Sequence, residues 1–168
     1  MIRDDELRRL ELYAESMGLR VSWRKHKEGL PGALWVNEDT GIVLVMYTWP
    51  GQSKTMLILN FIHELAHHLA YVYNNRSLSP SVDRAFSVED EEDLTENQRR
   101  IIYETERDDA RFRMMIVKEL DIKIPEWKIQ LDIEVDTWFY YRFYKDGVYP
   151  TFKEMMEKKK ELKGKYES

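Results

Sequence analysis

Cysteine is absent from the 168 residues, which excludes disulfide bonds, thiolate metal sites and a cysteine nucleophile. The longest apolar runs fall well short of the roughly 20 residues that a membrane-spanning helix requires. The N-terminus is acidic where a signal peptide would be basic and then apolar. A formal net charge of −5 argues against a general nucleic-acid binder. We therefore expect a cytoplasmic protein with no membrane partner and no direct nucleic-acid partner.

The composition is that of a globular protein, with 43% hydrophobic and 34% charged residues. The length suits one domain with an appendage. We predict a main domain over residues 1–120, with a flexible acidic insertion at about 74–94. Residues 121–168 form a C-terminal extension, an aromatic segment followed by a lysine-rich helix, which we expect to pack on the same domain. The oligomeric state is left open.

Hydrophobic periodicity predicts a helix and three strands in the first 50 residues. Apolar residues spaced by three and four predict a helix from Leu7 to Met17. Alternation predicts a strand at 19–23. A loop at 26–32 follows, and then a β-hairpin whose turn spans 37–41.

The remaining pattern is mainly helical. After Ser53, the segment TMLILNFIHELAHHLAYVY is apolar nearly all round, which predicts a central, buried helix to about residue 74. The T-x-x-Q pattern at 95–98 is typical of a capping box and starts a helix over 96–120. Residues 128–136 alternate, which favours a strand, although the spacing also fits a helix. A lysine-rich helix is predicted over 151–162.

One motif carries chemistry, the H-E-x-x-H pattern of His63, Glu64 and His67. Helical residues four apart lie on one face, so both imidazoles can reach one zinc ion at about 2.0–2.1 Å. Glu64 lies beside the ion, where it can take a proton from zinc-bound water. Buried structural histidines are the alternative, but they leave Glu64 unexplained, because an unpaired acid in an apolar helix is costly. His68 points about 100° away from His67, and we predict that it contacts a ligand from behind or lies in the core.

The third ligand must be a carboxylate, because cysteine is absent and His26 lies in a predicted loop. At about 100° per residue, Glu106 and Asp109 lie toward the apolar side of the helix over 96–120. Glu104 lies near the solvent side and Asp108 on the border. We predict Glu106 as the ligand because its side chain is longer, and Asp109 as a hydrogen-bond acceptor from a zinc-bound histidine. Glu104, Asp108 and Asp109 stay open as alternatives to Glu106.

From about Tyr13 to Met115, the chain resembles the ImmA/IrrE family of zinc metallopeptidases. The similar segments are AESMGLRVSW, GLPGALWVNEDTGIVLV, FIHELAHHL and ETERDDARF. In the last of these, Glu106 falls on the leading Glu of the family's E-x-E-A-[ND]-x-F stretch. Ala66 stands where the family usually has Gly, and Asp108-Asp109 replaces its usual Glu-Ala.

The resemblance implies an α+β class with a zincin-like fold. A small β-sheet would pack on the active-site helix, and a second helix would supply the third ligand. It also implies cleavage of an intracellular protein, often a repressor or another transcriptional regulator.

We therefore predict a zinc endopeptidase that cleaves an intracellular protein. Zn²⁺ is the cofactor, Glu64 is the general base, and it then passes a proton to the leaving amine. Three tyrosines, Tyr47, Tyr71 and Tyr103, are candidate oxyanion donors. The alternative is an interaction protein with a structural zinc, which binds a regulatory partner without cleaving it. Its aromatic segment at 138–144 would dock the partner, although ordinary core is the simpler interpretation of that segment. A zinc hydrolase of non-peptide amides is a third interpretation.

Overall fold

The structure is a computed structural model that describes residues 5–25, 32–37, 41–74, 79–88 and 90–166. Within these ranges helices predominate, and a small sheet and one 3₁₀ turn at Glu91–Asp93 complete the secondary structure. The elements are α1 (Asp5–Ser16), β1 (Arg20–Lys25), β2 (Gly32–Asn37), β3 (Gly41–Thr48), α2 (Lys54–Tyr73), α3 (Pro80–Phe86), α4 (Glu96–Asp109), α5 (Arg111–Glu119), α6 (Glu126–Asp146) and α7 (Phe152–Tyr166).

The sheet has three strands in the order β1-β3-β2. Strand β1 is parallel to β3, with Val21 opposite Leu44, and β2 is antiparallel to β3, with Val36 opposite Ile42. The predicted strand at 19–23 and the two arms of the predicted hairpin are thereby confirmed. Residues 38–40 of its turn lie outside the described residues, as do residues 26–31 of the predicted loop, which include His26.

One compact unit comprises Met1–Leu69 and Phe112–Ile124. Its buried side chains come from α1, β3, the first part of α2 and α5, and they include Leu10, Leu44, Met46, Phe61, Ile62, Leu65 and Ile116. The rings of Trp23 and Phe61 meet edge to face, with 5.7 Å between their centroids. The Arg9 guanidinium donates to the carbonyl oxygen of Leu120 over 2.6 Å, which fastens α1 to the end of α5.

The second unit comprises Ala70–Arg111 and Pro125–Ser168. Helices α3, α4 and α6 meet around Ala85, Leu94, Ile102 and Phe143. Helices α6 and α7 meet around a second cluster of Leu131, Val135 and Leu162. Helix α4 starts with the predicted capping box at Thr95, which is confirmed. The predicted domain division at residue 120 stays a prediction.

The strand predicted over 128–136 is wrong, because these residues lie in α6. The helix follows Pro125 and ends at Gly147, whose φ of 77° is the left-handed conformation that favours glycine at a helix end. The reason for the misleading pattern is that α6 buries two faces. Leu131 and Val135 pack in the cluster with α7, whereas Phe143 packs in the cluster with α3 and α4. Two buried faces obscure the 3.6-residue period of a helix.

The expected fold class, α+β with a zincin-like fold, is wrong. The described residues are mostly helical, and no zincin-like arrangement of a sheet and an active-site helix is evident among them. The difference arises chiefly in two segments. The extension at 121–168 consists largely of α6 and α7, and the segment expected as a flexible insertion at 74–94 contains α3, with Ala85 and Leu94 buried.

No helix in the described part of the chain is both long and apolar enough to cross a lipid bilayer. Helix α2 is the most apolar of the long helices, but the histidines and the glutamate of its middle turns interrupt its apolar surface.

Replacing Phe143 by Ala tests whether the aromatic segment of α6 is core. Phe143 is fully buried and its ring stacks on Tyr149 with 3.8 Å between centroids. We expect the variant to lose about 3–5 kcal/mol of unfolding free energy, as is typical of buried Phe-to-Ala substitutions. Urea unfolding followed by tryptophan fluorescence measures the change. Val148→Ala, at a side chain that is 66% exposed, is the control and should change stability by about 0.5 kcal/mol or less. Equal effects of the two substitutions would contradict the core assignment.

Candidate metal centre

Helix α2 positions two histidines for a shared ligand. The helix begins after Ser53, whose hydroxyl accepts a hydrogen bond from the backbone N–H of Met56 over 3.2 Å. Its buried residues fix its orientation, because Ile58, Phe61, Ile62, Leu65 and Ala66 are almost completely inaccessible. His63 and His67 are half-buried one turn apart. The helix therefore presents both imidazoles on one face, as the sequence predicts.

The two imidazoles face each other through their Nε2 atoms. These atoms lie 3.1 Å apart, and the ring planes are inclined at 72°. Two nitrogen ligands at about 2.0–2.1 Å from one tetrahedral ion would lie roughly 3.3 Å apart. The observed separation is close to that value. The same separation also permits a hydrogen bond between the rings when one Nε2 carries a hydrogen.

Glu106 completes a group of three metal-ligand side chains. His63, His67 and Glu106 each offer one ligand atom, and these atoms all lie within 4.8 Å of one another. Glu106 is only 7% exposed. Two imidazoles and a carboxylate are the donor set of a catalytic zinc site with three protein ligands. The group could therefore hold a metal ion.

The other acidic candidates have different surroundings. Glu104 accepts a hydrogen bond from Arg100 over 3.3 Å, and Asp108 accepts one from Arg107 over 2.9 Å; both are pairs at the surface of α4. Asp109 is half-buried and is not part of the ligand group. Its predicted hydrogen bond to a histidine stays a prediction. The choice of Glu106 over Glu104, Asp108 and Asp109 as the third ligand also stays a prediction.

Glu64 is 7% exposed, and the residues that the structure describes give its carboxylate no hydrogen-bond or ion-pair partner. Neither of its carboxylate oxygens is among the fully buried polar atoms that lack a partner, so water can approach the carboxylate. Glu64 follows His63 directly, so it lies on the same turn of α2 as one of the candidate ligands. This position suits a general base that works on water.

His68 is 2% exposed, and its Nε2 lies 3.5 Å from the carbonyl oxygen of Met17. This contact is with the residue that follows α1 and not with one of the three candidate ligands. Among the candidate oxyanion donors, Tyr103 stacks on Tyr144 with 6.0 Å between ring centroids, and its ring belongs to an aromatic cluster of the second unit. Tyr47 and Tyr71 are half-buried, and their roles stay predictions.

Sequence reasoning missed Arg113, which contacts the first histidine. Arg113 lies on α5 and is 3% exposed, and its Nη2 atom donates to Nδ1 of His63. A signal for its burial is present in the sequence. Arg113 precedes the apolar residues Ile116 and Val117 by three and four positions, so it shares their face of the helix.

No protein-family model matches the chain, and no curated protein or solved structure matches it either. The chemistry of the ligand group is therefore the main guide to function.

Proposed function

We propose that this protein is a zinc-dependent endopeptidase of the H-E-x-x-H type. The observation that carries the proposal is the convergence of His63, His67 and Glu106, whose ligand atoms lie within 4.8 Å of one another, with Glu64 directly following His63 in the sequence. The resemblance of the sequence to the ImmA/IrrE metallopeptidases supports the same activity.

The two imidazoles, the carboxylate of Glu106 and the adjacent Glu64 together favour zinc as the metal. Hard cations such as Ca²⁺ and Mg²⁺ prefer oxygen ligands, whereas two imidazoles suit zinc and other transition metals. Iron(II) also takes two histidines and one carboxylate. Glu64 favours zinc, because a glutamate directly after the first histidine is the general base in the H-E-x-x-H pattern of zinc proteases.

The residues of the chain divide the reaction between them. His63, His67 and Glu106 bind the metal. When bound, zinc lowers the pKa of a water ligand to about 7 and polarises a carbonyl group. The Glu64 carboxylate accepts a proton from the attacking water and then donates it to the nitrogen of the scissile bond. The products are one new carboxyl group and one amine, so the proton returns to product and Glu64 is regenerated.

The proposed substrate is an intracellular protein, and a transcriptional regulator is the class that the family resemblance suggests. The proposed compartment is accordingly the cytoplasm. This part of the proposal depends on the resemblance alone.

Metal content and hydrolysis test the proposal together. The full chain is purified without chelator, and its metals are identified by elemental analysis. It is then incubated with a quenched fluorescent peptide library, before and after treatment with a chelator and re-addition of zinc. We expect about one zinc per chain and cleavage that follows zinc. A folded protein that takes up no zinc overturns the metal site. Zinc uptake with no cleavage of peptides, or of candidate regulators, favours the interaction protein with a structural zinc.

A further inference from the structure

The surface of helix α7 is divided into three sectors around the helix axis. When Phe152 is set at 0° and each residue adds about 100°, the sector near 300° packs on α6 and contains Met155, Leu162 and Tyr166. The acidic residues of the helix all fall between about 140° and 200°, and they are Glu154, Glu157 and Glu161. The sector from about 340° to 100° contains six residues, Phe152, Lys153, Met156, Lys159, Lys160 and Lys163. We call these six residues the basic flank of α7.

The apolar side chains of the basic flank are exposed to solvent. Phe152 is 70% exposed and Met156 is 43% exposed. The two residues are four positions apart, so their side chains are neighbours on the helix surface. Lys153 and Lys160 are exposed beside them. Two large apolar side chains that lie together in water, bordered by lysines, are typical of an interaction surface.

The charge of the basic flank determines the chemical class of its partner. No acidic residue of α7 falls within the flank, and Lys153 pairs across its border with Glu157 over 4.0 Å. The α6 residue Glu134 accepts a hydrogen bond from Tyr166 at the opposite end of α7 from Phe152. A complementary partner is therefore anionic, and it also offers an apolar layer that the side chain of Phe152 can enter.

The type of cation favours a lipid surface over an acidic peptide. All four cations of the basic flank are lysines, whose ammonium groups are compact point charges. Arginine is the residue that binds single carboxylates through two parallel hydrogen bonds. A helix with lysines bordering exposed Phe and Met side chains has the form that lies in the plane of a membrane interface.

We propose that the basic flank of α7 binds the surface of an anionic lipid bilayer. Phe152 and Met156 enter the boundary between headgroups and acyl chains, and the four lysines contact the anionic headgroups. The lack of a spanning helix, from which we expected no membrane partner, does not bear on a helix that lies on the membrane surface. This binding uses neither the candidate metal centre nor hydrolysis.

Co-sedimentation of the full wild-type chain with lipid vesicles is the first test. One set of vesicles contains phosphatidylserine and phosphatidylcholine, and the other contains phosphatidylcholine alone. We expect binding to the first set, weakened by added salt, and little binding to the second. No binding to the first set, or equal binding to both, overturns the proposal. This comparison needs no substitution, so it remains decisive if a variant fails to fold.

Substitutions then test whether α7 is the surface that binds. Lys153→Gln with Lys160→Gln should weaken binding to the anionic vesicles roughly 10- to 30-fold, as the attraction of two lysines to an anionic surface implies. The matched control is Lys118→Gln with Lys123→Gln, which removes two exposed positive charges outside α7 and should change binding little. Equal losses in the two double variants overturn the assignment to α7.

The apolar contribution is tested separately from the charge. Phe152→Ser should weaken binding roughly 10-fold or more, because the variant loses an aromatic ring that enters the bilayer. Phe86→Ser, at a ring of α3 that is 48% exposed, is its control and should keep the wild-type affinity. Soluble polyglutamate is the probe for the other partner. If it binds through Lys153 and Lys160 while anionic vesicles do not bind, the flank is a site for acidic peptides and the lipid proposal is overturned.

Discussion

Replacing Glu64 by Gln is expected to reduce peptide hydrolysis by roughly 10²- to 10⁴-fold, which is the contribution typical of a general base. Gln has nearly the shape of Glu but cannot accept the proton of the attacking water. Because Glu64 is not one of the proposed ligands, the zinc content of the variant should stay near that of the wild type. The variant should also fold normally, since its side chain has almost the same volume.

Initial rates on the peptide library and zinc content by elemental analysis measure the two effects on the same preparations. Glu104→Gln provides the matched control, because it is the same chemical change at a surface ion pair with Arg100. It should leave both rate and zinc content close to wild type. Loss of zinc from Glu64→Gln would show that Glu64 helps to hold the metal, against its assignment as a base. Retention of full activity would exclude it from the reaction.

Replacing Glu106 by Ala is expected to remove most of the zinc that the wild type retains. Loss of a residue that hydrogen-bonds to a metal ligand typically lowers metal affinity 10- to 100-fold. Loss of a ligand itself should therefore lower it about 100-fold or more. The expected result is a fall from about one zinc per chain to a small fraction of that after dialysis. Elemental analysis measures the content, and chelator competition measures the affinity.

Substitutions of the neighbouring acidic residues are the controls for the Glu106 prediction. Glu104→Ala and Asp108→Ala should keep zinc, because both side chains are engaged with arginines at the surface of α4. Asp109→Asn should weaken zinc binding by roughly 10- to 100-fold if Asp109 accepts a hydrogen bond from a zinc-bound histidine. If Asp109→Asn loses zinc and Glu106→Ala keeps it, the two proposed roles are exchanged.

Local patterns in the sequence were sufficient where a single face of an element decides its structure. The alternation in β1 and the capping box at Thr95 each predicted the observed element. Helix α2 was predictable for a different reason, because an apolar segment of its length leaves little alternative to a buried helix. Helix α6 was not predictable in this way. Its apolar residues serve two packing surfaces at once, and that information lies in the partner helices and not in its own sequence.

Local patterns in the sequence likewise predict some residues of the candidate site and not others. His63 and His67 are four residues apart, so helical geometry alone places them together. The side of the helix limits the carboxylate to Glu106 or Asp109, and the prediction of Glu106 depends on its longer side chain. Arg113 is 50 residues from His63, and nothing in the pattern around either residue indicates their contact. Burial of Arg113 was predictable, but the identity of its partner was not.

Strand β1 has a consequence for how the molecule behaves at high concentration. It is an edge strand of the sheet, and an edge exposes backbone groups that can pair with a strand of another molecule. Three of its six residues, Arg20, Arg24 and Lys25, are exposed cations. A second copy approaching this edge would bring the same cations against them. The charges on β1 therefore discourage edge-to-edge aggregation, while Trp23 on the same strand packs against Phe61.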